Sequence, residues 1–139
     1  EYEGRERSQA HVISVEDSPL LGAMIGNSLK KSGYVNLTRF ANGQEAWDYL
    51  QEVKSGAVPN DIACIITDIE MPQMDGHRLL KLIKNDPDLK DIPVIIFSSL
   101  INEEMRKKGE SLGADAQLSK NDIGEFIKKL DEILDKLEK

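Results

Sequence analysis

The stretch IACIITDIEMPQMDG, residues 62–76, joins an apolar run to a carboxylate and then to turn-forming residues. The run at 62–66 is typical of a short buried strand. Asp68 follows it, and Pro72 and the pair Asp75-Gly76 are typical of turns. Asp68 is therefore predicted at the carboxyl end of a strand, on the edge of a sheet where ligands bind in open α/β folds.

A second short apolar strand ends in the same way. Residues 11–15, HVISV, run directly into the pair Glu16-Asp17. If the two strands are parallel neighbours, three carboxylates meet at one edge, where they repel one another and raise at least one pKa unless a cation joins them. Hard divalent ions such as Mg²⁺ bind oxygen ligands of this kind. The pattern predicts an acidic metal pocket with Asp68 at its centre.

Length and charge limit the classes of protein that fit. A chain of 139 residues is typical of one domain, and we expect a linker or disordered tail at 1–9 and a domain at 10–139. The net charge of -7 argues against nucleic-acid binding. No apolar run approaches the roughly 20 residues that span a membrane, and no signal peptide is visible. We expect a cytoplasmic protein without membrane insertion, whose single Cys64 forms no disulfide within the chain.

Apolar strands and helical patterns alternate along the chain. Strands are predicted at 11–15, 36–40, 62–67, 93–97 and 114–118. The five helices are expected to begin after Ser18, at Asn42-Gly43, at Gly76, near Glu103, and at a cap formed by Asn121 or Asp122. Continuous apolar strands favour an α/β fold with a parallel sheet covered by helices on both faces. By analogy with doubly wound proteins of this size, the five-stranded sheet is expected in the flavodoxin-like order 2-1-3-4-5.

Helical periodicity also predicts the surroundings of individual side chains. The buried face of the first helix is expected to carry Leu21, Met24, Ile25 and Leu29. His77 is expected to be a solvated residue of the third helix. The clearest apolar stripe lies on the last helix, at Ile123, Phe126, Ile127, Leu130, Ile133, Leu134 and Leu137.

The later strands also end in polar residues. Strand 4 ends in Ser98, with Ser99 beside it, and strand 5 ends in Ser119-Lys120. A hydroxyl and an ammonium can hold the oxygens of an anion while carboxylates hold Mg²⁺. A cation-dependent phosphoryl site needs this combination, because the transferring group carries charge on three oxygens. Aspartate can itself be the nucleophile and form an aspartyl phosphate.

In their order and spacing these residues resemble a response-regulator receiver domain, over roughly residues 10–138. The resemblance implies that Asp68 is the phosphoacceptor for a histidine kinase. It implies four protein ligands for Mg²⁺: Glu16, Asp17, Asp68 and the backbone carbonyl of Glu70. Ser98 would be the hydroxyl that moves toward the phosphoryl group, and Lys120 would pair with the phosphate. The domain would be a phosphoacceptor switch with self-catalysed phosphotransfer and autodephosphorylation, and not an enzyme in the usual sense.

A finer resemblance is to the receiver of CheV-type chemotaxis coupling proteins. It rests on residues 68–76, on the long loop before strand 3, and on Ser98-Ser99-Leu100. It implies a chemotaxis-type histidine kinase as partner, and a chemoreceptor and coupling assembly contacted through an N-terminal domain. Two alternatives stay open. One is a receiver of another two-component protein without DNA-binding output, and the other is a Mg²⁺-dependent aspartyl phosphohydrolase with Glu70 as general acid.

Three positions depart from the receiver pattern. Gln117 stands where an aromatic residue is often found, so a switch that pulls a ring inward is not expected. Asn121 stands where many receivers have proline, so no cis bond is expected there. Glu70 is acidic where an amide is common. A carboxylate there should repel the phosphoryl group and position water less well, which predicts a long-lived aspartyl phosphate.

Overall fold

The computed structural model describes residues 9–71, 73–99, 102–120 and 123–137. Its strands are β1 His11–Val15, β2 Leu37–Phe40, β3 Ile62–Thr67, β4 Val94–Ser98 and β5 Ala116–Ser119. All pair in parallel, in the order β2-β1-β3-β4-β5, which confirms the predicted fold class. β1 and β3 have the predicted bounds, whereas the other three strands begin one or two residues later than predicted.

Five helices connect and follow the strands: α1 Pro19–Lys31, α2 Gly43–Ser55, α3 Gly76–Lys84, α4 Glu103–Leu112 and α5 Ile123–Leu137. Four of them begin at a polar side chain that accepts a backbone N–H of the first turn: Ser18, Asn42, Asp75 and Asn102. Such caps satisfy donors that have no partner within the helix. The predicted caps of α5, Asn121 and Asp122, lie outside the described residues, as does the predicted linker except for Gln9.

Side chains of the sheet alternate between two apolar layers, as the period of a strand requires. On one face the sheet packs mainly against α2 and α3, through a cluster that includes Ile13, Ile65, Ile96, Leu50, Leu80 and Ile83. On the other face it packs against α1 and α5, through a cluster that includes Val12, Ile66, Phe97, Leu29, Phe126 and Leu130. Burial of both faces explains why the central strands β3 and β4 are apolar at nearly every position, whereas the edge strands β2 and β5 are half polar and only partly buried.

Two predicted side-chain environments are wrong. Met24 is 49% exposed, because the buried face of α1 is turned toward Gly22 and Gly26, where the helix lies close to the side chains of β2. His77 is buried, with 5% of its surface exposed, because it lies where α3 packs against α4. On α5 the predicted stripe is buried at Phe126, Leu130 and Leu134 and partly buried at Ile127 and Ile133, while the side chains of Ile123 and Leu137 lie outside the described part of the chain.

Backbone hydrogen bonds continue one residue beyond the strands at their carboxyl ends. The N–H of Glu16 donates to the carbonyl of Phe40 at 3.0 Å, and the N–H of Asp68 donates to the carbonyl of Val15 at 3.1 Å. The N–H of Lys120 donates to the carbonyl of Ser98 at 2.9 Å. The residues that follow the strands are therefore held in register with their neighbours. Among the described helices, none combines the length and the apolar character needed to cross a membrane.

The first turn of α3 lies so close to the end of β3 that it accommodates only glycine. A Cβ atom at Gly76 would overlap the carbonyl oxygen of Asp68, whereas a Cβ at Gly124 in α5 would meet nothing within 4 Å. We expect Gly76→Ala to lower the free energy of unfolding by about 1–3 kcal/mol, as overpacking does. The matched variant Gly124→Ala should leave it unchanged or raise it by up to about 1 kcal/mol. Urea titrations followed by circular dichroism measure both, and equal midpoints for the two variants would refute this account.

Candidate functional site

Three carboxylates gather at the carboxyl edge of the sheet. Glu16 and Asp17 follow β1, Asp68 follows β3, and the two strands are direct neighbours. One carboxylate oxygen from each residue lies within 4.8 Å of the others. Glu16 and Asp68 are buried, whereas Asp17 is exposed. The convergence that the strand ends predict is therefore present in the fold.

An ammonium group lies between two of these carboxylates. The Nζ of Lys120 donates to Glu16 Oε1 at 2.5 Å and to Asp68 Oδ2 at 3.1 Å. Lys120 follows β5, so its side chain crosses the end of β4 to reach β3 and β1. Only 9% of this side chain is exposed. The edge thus holds four ionisable side chains that come from three different strands.

Backbone donors fix the orientation of the two buried carboxylates. The N–H of Ile69 donates to Asp68 Oδ1 at 2.7 Å, and the N–H of Ser18 donates to Glu16 Oε2 at 3.1 Å. The Thr67 hydroxyl donates to the carbonyl of Asp68 at 2.9 Å. Each carboxylate therefore has one oxygen held by the main chain and the other held by Lys120.

The cluster has more negative than positive charge. Burial raises the pKa of Glu16, and the hydrogen bonds from Lys120 and Ser18 offset only part of this effect. Burial by itself lowers the pKa of Lys120, but its contacts with Glu16 and Asp68 outweigh burial and raise that pKa. The ammonium of Lys120 pairs with Glu16 and Asp68, and Asp17 adds a third negative charge to the cluster. Additional positive charge would stabilise the ionised site.

The donor set fits a hard divalent cation. Mg²⁺ takes oxygen ligands, and carboxylates are common among them. One carboxylate oxygen from each of the three residues lies within 4.8 Å of the other two, so the three can approach one ion. Glu16, Asp17 and Asp68 could therefore hold the ion. The side chain of Glu70 is exposed, and ligation by its backbone carbonyl stays a prediction.

The predicted hydroxyl residues end β4 or follow it, and Gln117 lies within β5. Ser98 ends β4, is 1% exposed and is the register partner of Ser119 in β5, whereas Ser99 is exposed. Gln117 lies in β5 and its Nε2 donates to the carbonyl of Arg106 in α4 at 2.8 Å. A polar contact thus joins β5 to α4 at the position where an aromatic ring is common in receivers.

Sequence reasoning did not single out the residues that form the mouth of the site. A cavity of about 340 Å³ lies beside Glu16 and Asp17, and its other lining residues are Pro19, Arg39, Phe40, Ala41 and Glu45. Most of them come from the end of β2 or the residues that follow it. The position of β2 could have indicated these residues, because β2 ends at the same edge of the sheet as β1 and β3. Its end carries no carboxylate or hydroxyl, so the sequence pattern did not mark it as part of a site.

Comparisons with known proteins agree with this geometry. Residues 12–131 match the family described as response regulator receiver domain. The chain is 35% identical over 126 residues to a gliding motility regulatory protein from Myxococcus xanthus, covering 91% of this chain and 15% of that protein. It is 32% identical over 135 residues to the chemotaxis protein CheV3 from Helicobacter pylori, covering 95% of this chain and 43% of that protein. The chain therefore spans less than half the length of either relative.

A solved structure shares the fold over nearly the whole chain. The Mn²⁺-bound form of the response regulator Rcp1 superposes with a TM-score of 0.75 and is 28% identical, covering 89% of this chain and 91% of that one. The bound ion belongs to that protein.

The shared ammonium predicts a pH-dependent contribution to stability. We expect Lys120→Met to lower the free energy of unfolding by about 1.5–3 kcal/mol at pH 8, the range for hydrogen bonds to charged groups. Without the ammonium, the pKa of Glu16 should rise further above its ordinary value of 4.5. The folded chain then binds more protons than the unfolded chain above pH 4.5, so stability falls as pH rises, and the loss should be smaller at pH 5.

The measurement is a urea titration at both pH values. Lys128→Met provides the control, because Lys128 is 75% exposed and its carboxylate neighbour is 3.8 Å away. Exposed pairs of this kind contribute at most about 1 kcal/mol. An equal loss for Lys120→Met at pH 5 and pH 8 would contradict the electrostatic account.

Proposed function

This chain belongs to the response regulator receiver domain family, and on that premise we propose that Asp68 accepts a phosphoryl group from a histidine kinase in the presence of Mg²⁺. The observation that carries the proposal is the setting of the Asp68 carboxylate. It lies 3.1 Å from an ammonium and among carboxylates whose oxygens are within 4.8 Å of its own. A nucleophilic carboxylate, a cation site and an anion-binding ammonium are the parts that phosphoryl transfer needs.

Each residue then has a defined task. Bound Mg²⁺ would neutralise the carboxylates and the phosphoryl oxygens, with Glu16, Asp17, Asp68 and the carbonyl of Glu70 as its protein ligands. The Asp68 carboxylate attacks phosphorus, the phosphorus–nitrogen bond of a phosphohistidine breaks, and its electron pair leaves with the imidazole. The Ile69 N–H holds the attacking carboxylate in place. Lys120 pairs with a phosphoryl oxygen, and the hydroxyl of Ser98 donates to another.

The same contacts suggest how the modification reaches the surface. A phosphoryl group adds about 1.5 to 2 negative charges at neutral pH, so it competes with Glu16 for the ammonium of Lys120. Lys120 directly follows β5, and β5 is joined to α4 through Gln117. Movement of Lys120 would therefore bias an existing two-state equilibrium of the surface formed by α4, β5 and α5. Output occurs through protein contacts at this surface.

For the biological process we propose chemotaxis, with a CheV-type protein as the context. The support is the similarity to CheV3, which extends over 95% of this chain. A chemotaxis-type histidine kinase would be the phosphodonor in the cytoplasm, and a chemoreceptor and coupling assembly would be reached through a domain beyond the receiver. A receiver of another two-component system is the second candidate, favoured by the similarity to the gliding motility regulator. The phosphohydrolase alternative gains no support from the family match or from the exposed side chain of Glu70.

Beryllofluoride, which mimics a phosphoryl group on aspartate, tests the acceptor. With Mg²⁺ present, we expect the amide resonances of Ile69 and Lys120 to shift in the wild type, because both residues contact Asp68. The shifts should be lost in Asp68→Asn. The control Asp75→Asn should keep them, since asparagine can cap α3 as aspartate does. The same shifts in Asp68→Asn as in the wild type would eliminate Asp68 as acceptor.

The acidic side chain of Glu70 predicts a slow loss of the phosphoryl group. We expect Glu70→Asn to shorten the lifetime of the aspartyl phosphate by about fivefold, because an amide positions the attacking water better than a carboxylate, and fivefold corresponds to roughly 1 kcal/mol in the hydrolysis barrier. The lifetime is measured by intact-protein mass spectrometry, as the rate at which the phosphorylated fraction falls after the phosphodonor is removed. Asp91→Asn is the control, because it removes an exposed carboxylate that precedes β4, at the opposite edge of the sheet. An unchanged lifetime in Glu70→Asn would rule out this role.

A further inference from the structure

A second cavity lies between α3 and α4. Its volume is about 350 Å³, and its lining residues are Asp75, His77, Arg78, Lys81, Lys108 and Leu112. None of these residues belongs to the acidic cluster. Lys108 and Leu112 lie on α4, which is part of the surface proposed for output signalling, and the other four residues lie outside that surface. The cavity therefore needs its own explanation.

The lining of this cavity is positively charged in a chain whose net charge is -7. Arg78 and Lys81 lie one turn apart on α3, and Lys108 faces them from α4. Within the described residues, no carboxylate forms an ion pair with any of the three. Asp75, the single acid of the lining, is engaged as the N-cap of α3 and accepts the N–H of Arg78 at 2.8 Å. All three cations are exposed residues that line one cavity, and a bound anion would relieve the repulsion between them.

A buried imidazole completes the lining. His77 is 5% exposed, and its Nε2 is buried with no hydrogen-bond partner in the described part of the molecule. A buried polar nitrogen without a partner costs free energy, so native proteins nearly always supply one. Burial, followed by the charge of Lys108, lowers the pKa of His77, which favours the neutral ring. A neutral ring can donate one N–H to an anion's oxygen.

We propose that this cavity binds a small ligand that carries a phosphate or pyrophosphate group. Its volume lies within the range of small-molecule pockets, and its concave shape between two helices suits a compact group more than an extended chain. Leu112 is the one apolar residue of the lining, so recognition depends on charge. Arg78 and Lys81 from α3 and Lys108 from α4 would bind the anion. A bound ligand would therefore link the two helices.

The test uses inorganic pyrophosphate and the full chain at low ionic strength, without divalent ions. Calorimetry measures the affinity for pyrophosphate, and the side-chain NMR signals of the two histidines show where on the chain it binds. We expect the His77 ring to shift, while the His11 ring, which is bonded to Asp61 and Thr38, does not. Affinity should fall about two- to fivefold in Lys108→Gln, the range for one exposed charge contact.

The matched control is Lys107→Gln. Lys107 is the neighbouring residue, 75% exposed and 4.0 Å from Glu103, and its loss should leave the affinity unchanged. Equal losses for the two variants, or no shift of the His77 ring, would overturn the proposal. Tighter binding of a glutamate-rich peptide than of pyrophosphate would also overturn it, in favour of a protein partner. Binding should persist in Asp68→Asn, so failure of this site and failure of the phosphoacceptor proposal can be told apart.

Discussion

The ammonium of Lys120 is shared between the carboxylates of Glu16 and Asp68, and the electrostatics of the sheet edge depend on that contact. It joins the ends of β1, β3 and β5, which are separated by up to 104 residues along the chain. The parallel register brings these ends to one edge, and backbone hydrogen bonds beyond the strands hold the polar residues in place. The shortage of positive charge follows directly, since one ammonium cannot balance three carboxylates. This shortage of positive charge favours binding of a cation at the edge. A bound cation could in turn bind the oxygens of a phosphoryl group.

Stability and function are separated in space. The two apolar layers bury side chains on both faces of the sheet, and they hold the strand ends without using any residue of the acidic cluster. Burial of Glu16 and Asp68 is unfavourable for their charged forms, and the stability that the two apolar layers contribute offsets this cost. The close contact of Gly76 with the main chain of Asp68 shows that the packing of α3 also limits where the acceptor can lie. Because the strand ends are packed closely in this way, a change of charge at one carboxylate can shift the residues that end the neighbouring strands.

Two features of this chain lie away from the acidic cluster. Gln117 makes a polar link between β5 and α4, so a signal that passes this way would move hydrogen bonds instead of an aromatic ring. The cationic cavity between α3 and α4 has a charge opposite to that of the sheet edge. Both features involve α4, which has the fewest buried residues among the described helices, since Gly109 is its one buried position. An element with few buried contacts is suited to shift between states.

The sequence alone predicted the α/β fold class and the polar residues at the strand ends, whereas the strand order came from analogy with doubly wound proteins. Each predicted strand stops at polar residues, so Asp68, Glu16-Asp17, Ser98 and Lys120 could all be placed at strand ends. Tertiary structure decided what those residues touch. Lys120 bonds two carboxylates at once, Met24 is exposed and His77 is buried, because periodicity specifies a face of an element but not the neighbour that covers it. That neighbour is set by how far each helix is rotated and how closely it approaches the sheet, and these depend on contacts between residues distant in the chain.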